Sequence, residues 1–233
     1  MQLVLASASP RRADLLRAAG FTFEAIVAEV DEQVRPGEAA TAYVRRVAAD
    51  KTAAALSVIS GLKGRAVVSG SSHGAVVSGS NTGVVVSGFS RTKADRATEG
   101  PPEGGHYNDA IILSADTAVI VNGQILGKPK DDADAAAMLR RLSGRRHKVM
   151  TGVSLRRGSL ELGRVETTIV AMATLSDADL EWYVASGEPR DKAGAYAIQG
   201  LASRFISRID GSYSNVVGMP IATVVELLAQ IQR

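Results

Sequence analysis

The sequence predicts an α/β fold built on a mixed sheet with flanking helices, and three observations carry that prediction. Short apolar runs suited to strands alternate with stretches of helical spacing. Two-residue turn signals, above all Asn122-Gly123, mark hairpins between some of the runs. The 233 residues are 45% hydrophobic and 22% charged, enough apolar material for one sizeable core or two closely joined lobes.

Leu3 to Leu5 reads as a strand that breaks at Ser7-Ala8-Ser9-Pro10, and Leu15, Leu16 and Ala19 then follow at helical spacing. A second helix is expected over residues 38–56, where Val44, Val47, Ala48 and Lys51 share one stripe, so Lys51 falls on the buried side. Residues 111–115 read as a strand ending at Asp116. Beyond it, Val119-Ile120-Val121 and Ile125-Leu126 flank the Asn122-Gly123 turn. A helix is expected over residues 131–142. Two β-rich runs, 147–156 and 160–174, should pair through Arg157-Gly158, and Ser176 should cap the next helix. The tail reads as a Gly-punctuated strand region over 193–208, a turn at Asp210-Gly211-Ser212, and a last helix opening near Pro220.

The whole chain, 1–233, reads as a single domain interrupted by an insertion at about 58–109. Residues 66–92 hold three nine-residue copies, AVVSGSSHG, AVVSGSNTG and VVVSGFSRT, followed by a Pro-, Gly- and charge-rich stretch. Three short units bury little and are fewer than most solenoids use. They suit a low-complexity surface insertion; the alternative is a partner-binding or oligomerising flap. Loop closure costs only about 0.6 kcal/mol per doubling of length. A chain lacking residues 62–105 is therefore expected to fold and keep its activity, and loss of either on deletion would place the repeats in the core or the site.

Cysteine is absent, which excludes disulfides and thiolate metal sites and suits a reducing, cytoplasmic compartment. No stretch is long and apolar enough for a signal peptide or membrane span. The net charge is +3 and the pI about 9.3. Yet Lys and Arg recur along the whole chain and aromatics are only 4%, which argues against a nucleic-acid partner.

Several residues carry chemistry. Ser9-Pro10 opens a helix, and Arg11 and Arg12 put cations at its positive end, an arrangement that suits an anion such as phosphate. A solvated basic turn is the other reading. Asp116, at the end of an apolar strand, can hold a metal or activate water, or simply begin an Asp-Thr turn. Lys128 could return to the same rim or be an ordinary surface lysine before Pro129. Glu32 lies on a loop and could equally be a solvated acidic turn. Together these residues supply cations for phosphates, carboxylates for a divalent metal, and a base for water. With no Cys and three scattered histidines, His73, His106 and His147, oxygen ligation of Mg²⁺ or Mn²⁺ is favoured over zinc. His147 has no ligand-like spacing and reads as structural.

The ordered motifs LVLASASPRRADLL, the VDE triplet with Glu32, AADKTAAAL with Lys51, LSADTAVIVNGQILGKP, AAAMLRRLSGRRHKVMTGVSL, DKAGAYAIQG and GSYSNVVGMP resemble the Maf family of nucleotide pyrophosphatases. The resemblance covers nearly the whole chain outside residues 58–109. It implies an inosine triphosphatase-like fold with two lobes around a cleft, often as a homodimer. It also implies a hydrolase of phosphoric anhydride bonds that converts a nucleoside triphosphate to the monophosphate and pyrophosphate. Carried over by position, Asp116 would accept the proton of water, Glu32 with Asp116 would hold the metal, and Arg12, Lys51 and Lys128, beside Ser9, would grip the triphosphate. At three specificity positions Arg11, Thr117 and Gln199 resemble the dTTP/UTP type, whereas the 7-methyl-GTP type typically has Trp, Gln and Glu. Two alternatives stand beside this reading: a pyrophosphatase for modified or purine nucleotides, and a nucleotide-binding regulator of cell division.

Overall fold

The computed structural model describes residues 2–61, 75–77, 84–86 and 109–233. Most of the repeat insertion, at 62–74, 78–83 and 87–108, lies outside the described residues, as do His73 and His106.

Strand β1 (Leu3–Ala6), helix α1 (Pro10–Ala18) and strand β2 (Glu24–Ile26) form a right-sized βαβ unit, with Val4 opposite Glu24 in parallel register. All four residues of β1 are buried, as expected of a strand covered on both faces. Helix α2 (Ala40–Gly61) continues beyond the predicted end and takes in the first residues, 58–61, assigned to the insertion. Strands β3 (Ala75–Val77) and β4 (Val84–Val86) pair antiparallel at one end of the sheet. Strand β5 (Ile111–Val121) is the central element, parallel to β1 and antiparallel to β7 (Arg146–Arg157). Strand β8 (Leu160–Met172) and the short β9 (Ile206–Asp210) complete an order of β3-β4-β2-β1-β5-β7-β8-β9, with β6 (Gln124–Leu126) paired to β5.

Local chemistry explains most boundaries. Asn122 and Gly123 both have positive φ, 51° and 75°, the requirement of the tight turn that joins β5 to β6. Helix α3 (Asp132–Leu142) is capped by Asp131, whose carboxylate accepts the Asp134 amide at 2.7 Å, and it ends on Arg140 and Arg141, which suit its dipole. Ser176 and Asp179 make a reciprocal capping box at the start of α4 (Asp177–Ala185). A short helix, α5 (Tyr213–Val217), precedes α6 (Ile221–Ile231), which follows Pro220 as predicted.

The tail departs from expectation. Residues 193–205 are not strand: short 3₁₀ turns span Glu188–Asp191, Ala193–Ala195 and Leu201–Phe205, and only β9 joins the sheet. Gly194 and Ala195 have φ of 69° and 60°, which no strand accommodates. Their neighbours find other partners, with the Gly194 amide donating to the Gly127 carbonyl at 2.9 Å.

Two lobes result. In one, α1 and α6 pack on β1, β5 and β7 through Leu5, Leu16, Leu113, Leu155 and Leu228. In the other, α3 and α4 pack around Val149, Leu139, Leu142, Tyr183 and Phe205. α2 covers β5 and β7 through Val44, Val47 and Ala118.

His147 belongs to this interior. It is 3% exposed, its Nε2 lies 2.8 Å from the Tyr196 hydroxyl, and burial pulls its pKa down to about 4. An unfolded chain would take up this proton near pH 6.5, the folded chain only near pH 4, so between those values unfolding binds more protons. Stability is therefore complete above about pH 6.5 and falls by up to about 3 kcal/mol as pH drops to 4. A His147→Gln variant is expected to show a flatter decline in Tm across this window than the parent; identical slopes would remove His147 as the cause.

Candidate active site

The strand register creates an opening. On one edge of β5, Ile111 to Leu113 pair with β1 and Val119 to Val121 pair with β6, so Ser114 to Ala118 lie between the two partners. Asp116 thus sits in the middle of β5 and not at its tip, which corrects the sequence-based boundary. The end that matters belongs to β1, whose last residue is Ala6, and the crevice lies beyond that carboxyl end, as in open α/β sheets.

α2 delivers Lys51 to this gap. Its Nζ donates to Asp116 Oδ1 at 2.8 Å and pairs with Glu32 Oε1 at 2.6 Å, while Lys51 and Asp116 are both buried. The approach depends on Gly152, the residue opposite Asp116 in β7. A Cβ there would lie 2.2 Å from the Val44 carbonyl oxygen of α2. Glu32 itself is held by backbone contacts that the sequence reading missed. The Tyr43 hydroxyl donates to the Glu32 carbonyl at 3.0 Å, and Arg46 binds the carbonyls of Asp31 and Gln33 and the Glu38 carboxylate. Tyr43 and Arg46 stand one turn apart on α2, a spacing that reveals a shared face but not the loop it holds. Desolvation pushes the Glu32 carboxyl upward; the Lys51 bond and the charges of Lys51, Lys128 and Arg12 outweigh it and leave the pKa below its ordinary value.

Beside the carboxylates stands Arg12. Nε donates to the Gly218 carbonyl at 2.9 Å, Nη1 to Ser7 Oγ at 3.2 Å and Nη2 to Thr117 Oγ1 at 3.2 Å. Burial lowers its pKa from the ordinary arginine value, with Asp116 and Glu32 opposing that shift. Ser9 occupies the cap position of α1 as predicted, yet its hydroxyl makes no capping bond to the first-turn amides, which have no partner within the helix by geometry. Arg11 pairs across the cleft with Asp191 at 3.0 Å. Thr117 Oγ1 also lies 3.0 Å from Thr151 Oγ1, within a network that continues to the Asn215 carbonyl.

All nine residues singled out by sequence, Ser9, Arg11, Arg12, Glu32, Lys51, Asp116, Thr117, Lys128 and Gln199, line one cavity of about 680 Å³. That volume is typical of small-molecule sites. Asp191 and Lys192, which belong to the DKAGAYAIQG motif, line it too, as does Glu29, so among the described residues five cationic side chains face four carboxylates. Lys128 and Gln199 are exposed into it.

Metal ligation can be tested against the donors. Among the described residues no group of three or more His, Asp or Glu is gathered as a ready-made metal cage. Two carboxylates do meet here, and Asp116 Oδ2 is a buried oxygen with no hydrogen-bond partner. Hard oxygen donors in that number fit Mg²⁺ or Mn²⁺, which take one or two carboxylates and fill the remaining positions with water and substrate phosphate.

The family description Maf-like protein matches residues 2–231. The chain belongs to the Maf family. Maf relatives include a dTTP/UTP pyrophosphatase of Anaeromyxobacter dehalogenans, 41% identical over 231 residues and covering 97% of this chain and 92% of the relative. A dTTP/UTP pyrophosphatase of Symbiobacterium thermophilum is 42% identical over 229 residues, covering 98% and 93%. A third, from Shewanella oneidensis, is 40% identical over 235 residues, covering 99% and 98%. Within this Maf chain no helix among the described residues is long and apolar enough to cross a membrane.

Proposed function

We propose that the protein is a nucleoside triphosphate pyrophosphatase that hydrolyses dTTP and UTP to the monophosphate and pyrophosphate. The observation that carries the reading is the buried Lys51 joining Asp116 and Glu32 beside Arg12 in a single cleft. Relatives at about 40% identity bearing that activity in their names support it. The absence of cysteine is compatible with the cytoplasm as its place of action.

In the proposed reaction, Arg12, Lys51 and Lys128 bind the phosphate oxygens, with Ser9 and the first-turn amides of α1 beside them. Lys51 leaves Asp116 Oδ2 free by engaging only Oδ1, and Oδ2 takes a proton from water. The water oxygen bonds to the α-phosphorus, the bond from that phosphorus to its bridging oxygen breaks, and pyrophosphate departs with the bridging oxygen. Magnesium or manganese held by Glu32 and Asp116 would supply further neutralisation of phosphate charge. Gln199, which carries both a donor and an acceptor, meets the base edge, while Thr117 acts chiefly through Arg12.

The test is pyrophosphate release from each triphosphate with Mg²⁺, Mn²⁺ or chelator. dTTP and UTP should both be cleaved, because one methyl group gives only about 10–200-fold discrimination. Binding without pyrophosphate release, or a purine preference, would overturn the assignment. Gln199→Glu should alter the order of preferred bases more than turnover on the best substrate; an unchanged profile would remove Gln199 from base recognition.

A further inference from the structure

Gln199 sits on a turn whose Gly200 amide donates to the Ala197 carbonyl at 3.1 Å. The side chain of Gln199 is exposed to the cleft, so its aim is set by the backbone on either side. That backbone is held from behind by two residues outside the cleft. On one side the Ala197 amide donates to the Tyr183 hydroxyl at 3.2 Å. On the other, the Leu201 amide donates to Glu188 Oε2 at 2.9 Å and the Ala202 amide to Glu188 Oε1 at 3.3 Å. The two anchors are themselves joined, because the Tyr183 hydroxyl donates to Glu188 Oε1 at 2.7 Å.

Gly200 makes this geometry attainable. A Cβ at that position would lie 2.1 Å from Glu188 Oε2 and 2.6 Å from its Cδ. The carboxylate therefore fits against the turn only because the side chain is missing. Tyr183 is wholly buried in α4, and burial together with Glu188 raises its pKa, so it remains a hydroxyl donor. The Glu188 carbonyl also accepts from Lys192 Nζ at 3.1 Å, Lys192 pairs with Asp191, and Asp191 pairs with Arg11. One chain of contacts thus connects Gln199 to Arg11, both of which line the cleft.

We propose that Glu188, acting with Tyr183 and Gly200, is a positioning residue that sets base selectivity by fixing the Gln199 turn. The inference rests on the reading of Gln199 as a base contact. Glu188 touches neither substrate nor reacting atoms. Its carboxylate accepts three bonds, and an amide cannot accept all three, because one of its two ends is a donor facing donors.

The experiment compares Glu188→Gln, Tyr183→Phe and Gln199→Ala in the full chain. kcat and KM would be measured for dTTP and CTP, whose bases differ at the hydrogen-bonding edge. For Glu188→Gln, kcat on dTTP should stay within about threefold of the parent, while KM rises and the dTTP-to-CTP ratio of kcat/KM falls by about tenfold, less than the 10²-fold that a 1 Å misplacement can cost. Tyr183→Phe, which removes one hydroxyl, should shift both in the same direction by a smaller factor, and it decides the matter if Glu188→Gln does not fold. Leu228→Ala, a core truncation in α6, provides a chain of lowered stability whose ratio should not move. A shift in Gln199→Ala without one in Glu188→Gln or Tyr183→Phe would overturn the proposal, as would an equal fall in Leu228→Ala. An unchanged ratio in Gln199→Ala would instead retire the base-contact reading itself.

Discussion

Asp116→Asn should lower kcat on dTTP by a factor on the order of 10²–10⁴, the usual worth of a general base, while leaving the fold intact. The amide has the same shape as the carboxylate and its oxygen can still accept from Lys51, which also keeps Glu32 as a partner. What disappears is the proton-accepting oxygen. In the parent, Oδ2 is buried and unpartnered, a costly state for a carboxylate oxygen unless water, metal or substrate completes it. In the variant that position becomes an NH₂ group, which cannot accept a proton. The measurements are kcat and Tm on the same preparation. A Tm within a few degrees of the parent with turnover lost supports the role, whereas near-normal turnover in a folded variant would remove Asp116 from it.

This same residue marks where sequence stops being sufficient. Features set by neighbours in the chain were legible: the Asn122-Gly123 turn, the Asp131 and Ser176 caps, and Lys51 on the buried stripe of α2 each follow from a few adjacent side chains. The position of Asp116 along β5 was not legible. Buried residues continue to Val121 with only Thr117 half-buried among them, and the interruption lies in the partners, where β1 has ended and β6 has not begun. Residues 193–205 misled for a related reason. Their apolar content suits a strand, but Gly194 and Ala195 take positive φ and the backbone bonds go to Gly127, Tyr183 and Glu188. The chemistry-bearing side chains were identifiable by type and motif, while the residues that hold them, Tyr43, Arg46, Tyr183 and Glu188, act through backbone carbonyls and amides and carry no signature of their own.

Gly152→Ala should be the most damaging substitution outside the cavity lining, with effects on both stability and turnover. Gly152 faces Asp116 across β5 and β7, and α2 crosses directly over it. An added Cβ would stand 2.2 Å from the Val44 carbonyl oxygen, 2.5 Å from the Val44 carbonyl carbon and 2.9 Å from the Arg45 amide nitrogen. All three are backbone atoms, so no rotamer change relieves the contact and the helix must retreat by about 1 Å to restore van der Waals separation. Overpacking of this kind costs roughly 1–3 kcal/mol, or about 2–12 °C in Tm for a chain of this size. The functional cost follows from where α2 leads. Two turns after Val44 it carries Lys51, whose bonds to Asp116 and Glu32 are 2.8 and 2.6 Å long. A displacement of about 1 Å at such a site can cost on the order of 10²-fold in rate. Gly163→Ala is the matched control. It lies on β8, and its Cβ would meet one atom, the Val153 carbonyl oxygen, at 3.2 Å, so a shift of a few tenths of an ångström suffices and turnover should stay close to that of the parent. Equal turnover in the Gly152 and Gly163 variants would show that Lys51 reaches Asp116 without the close approach of helix to strand.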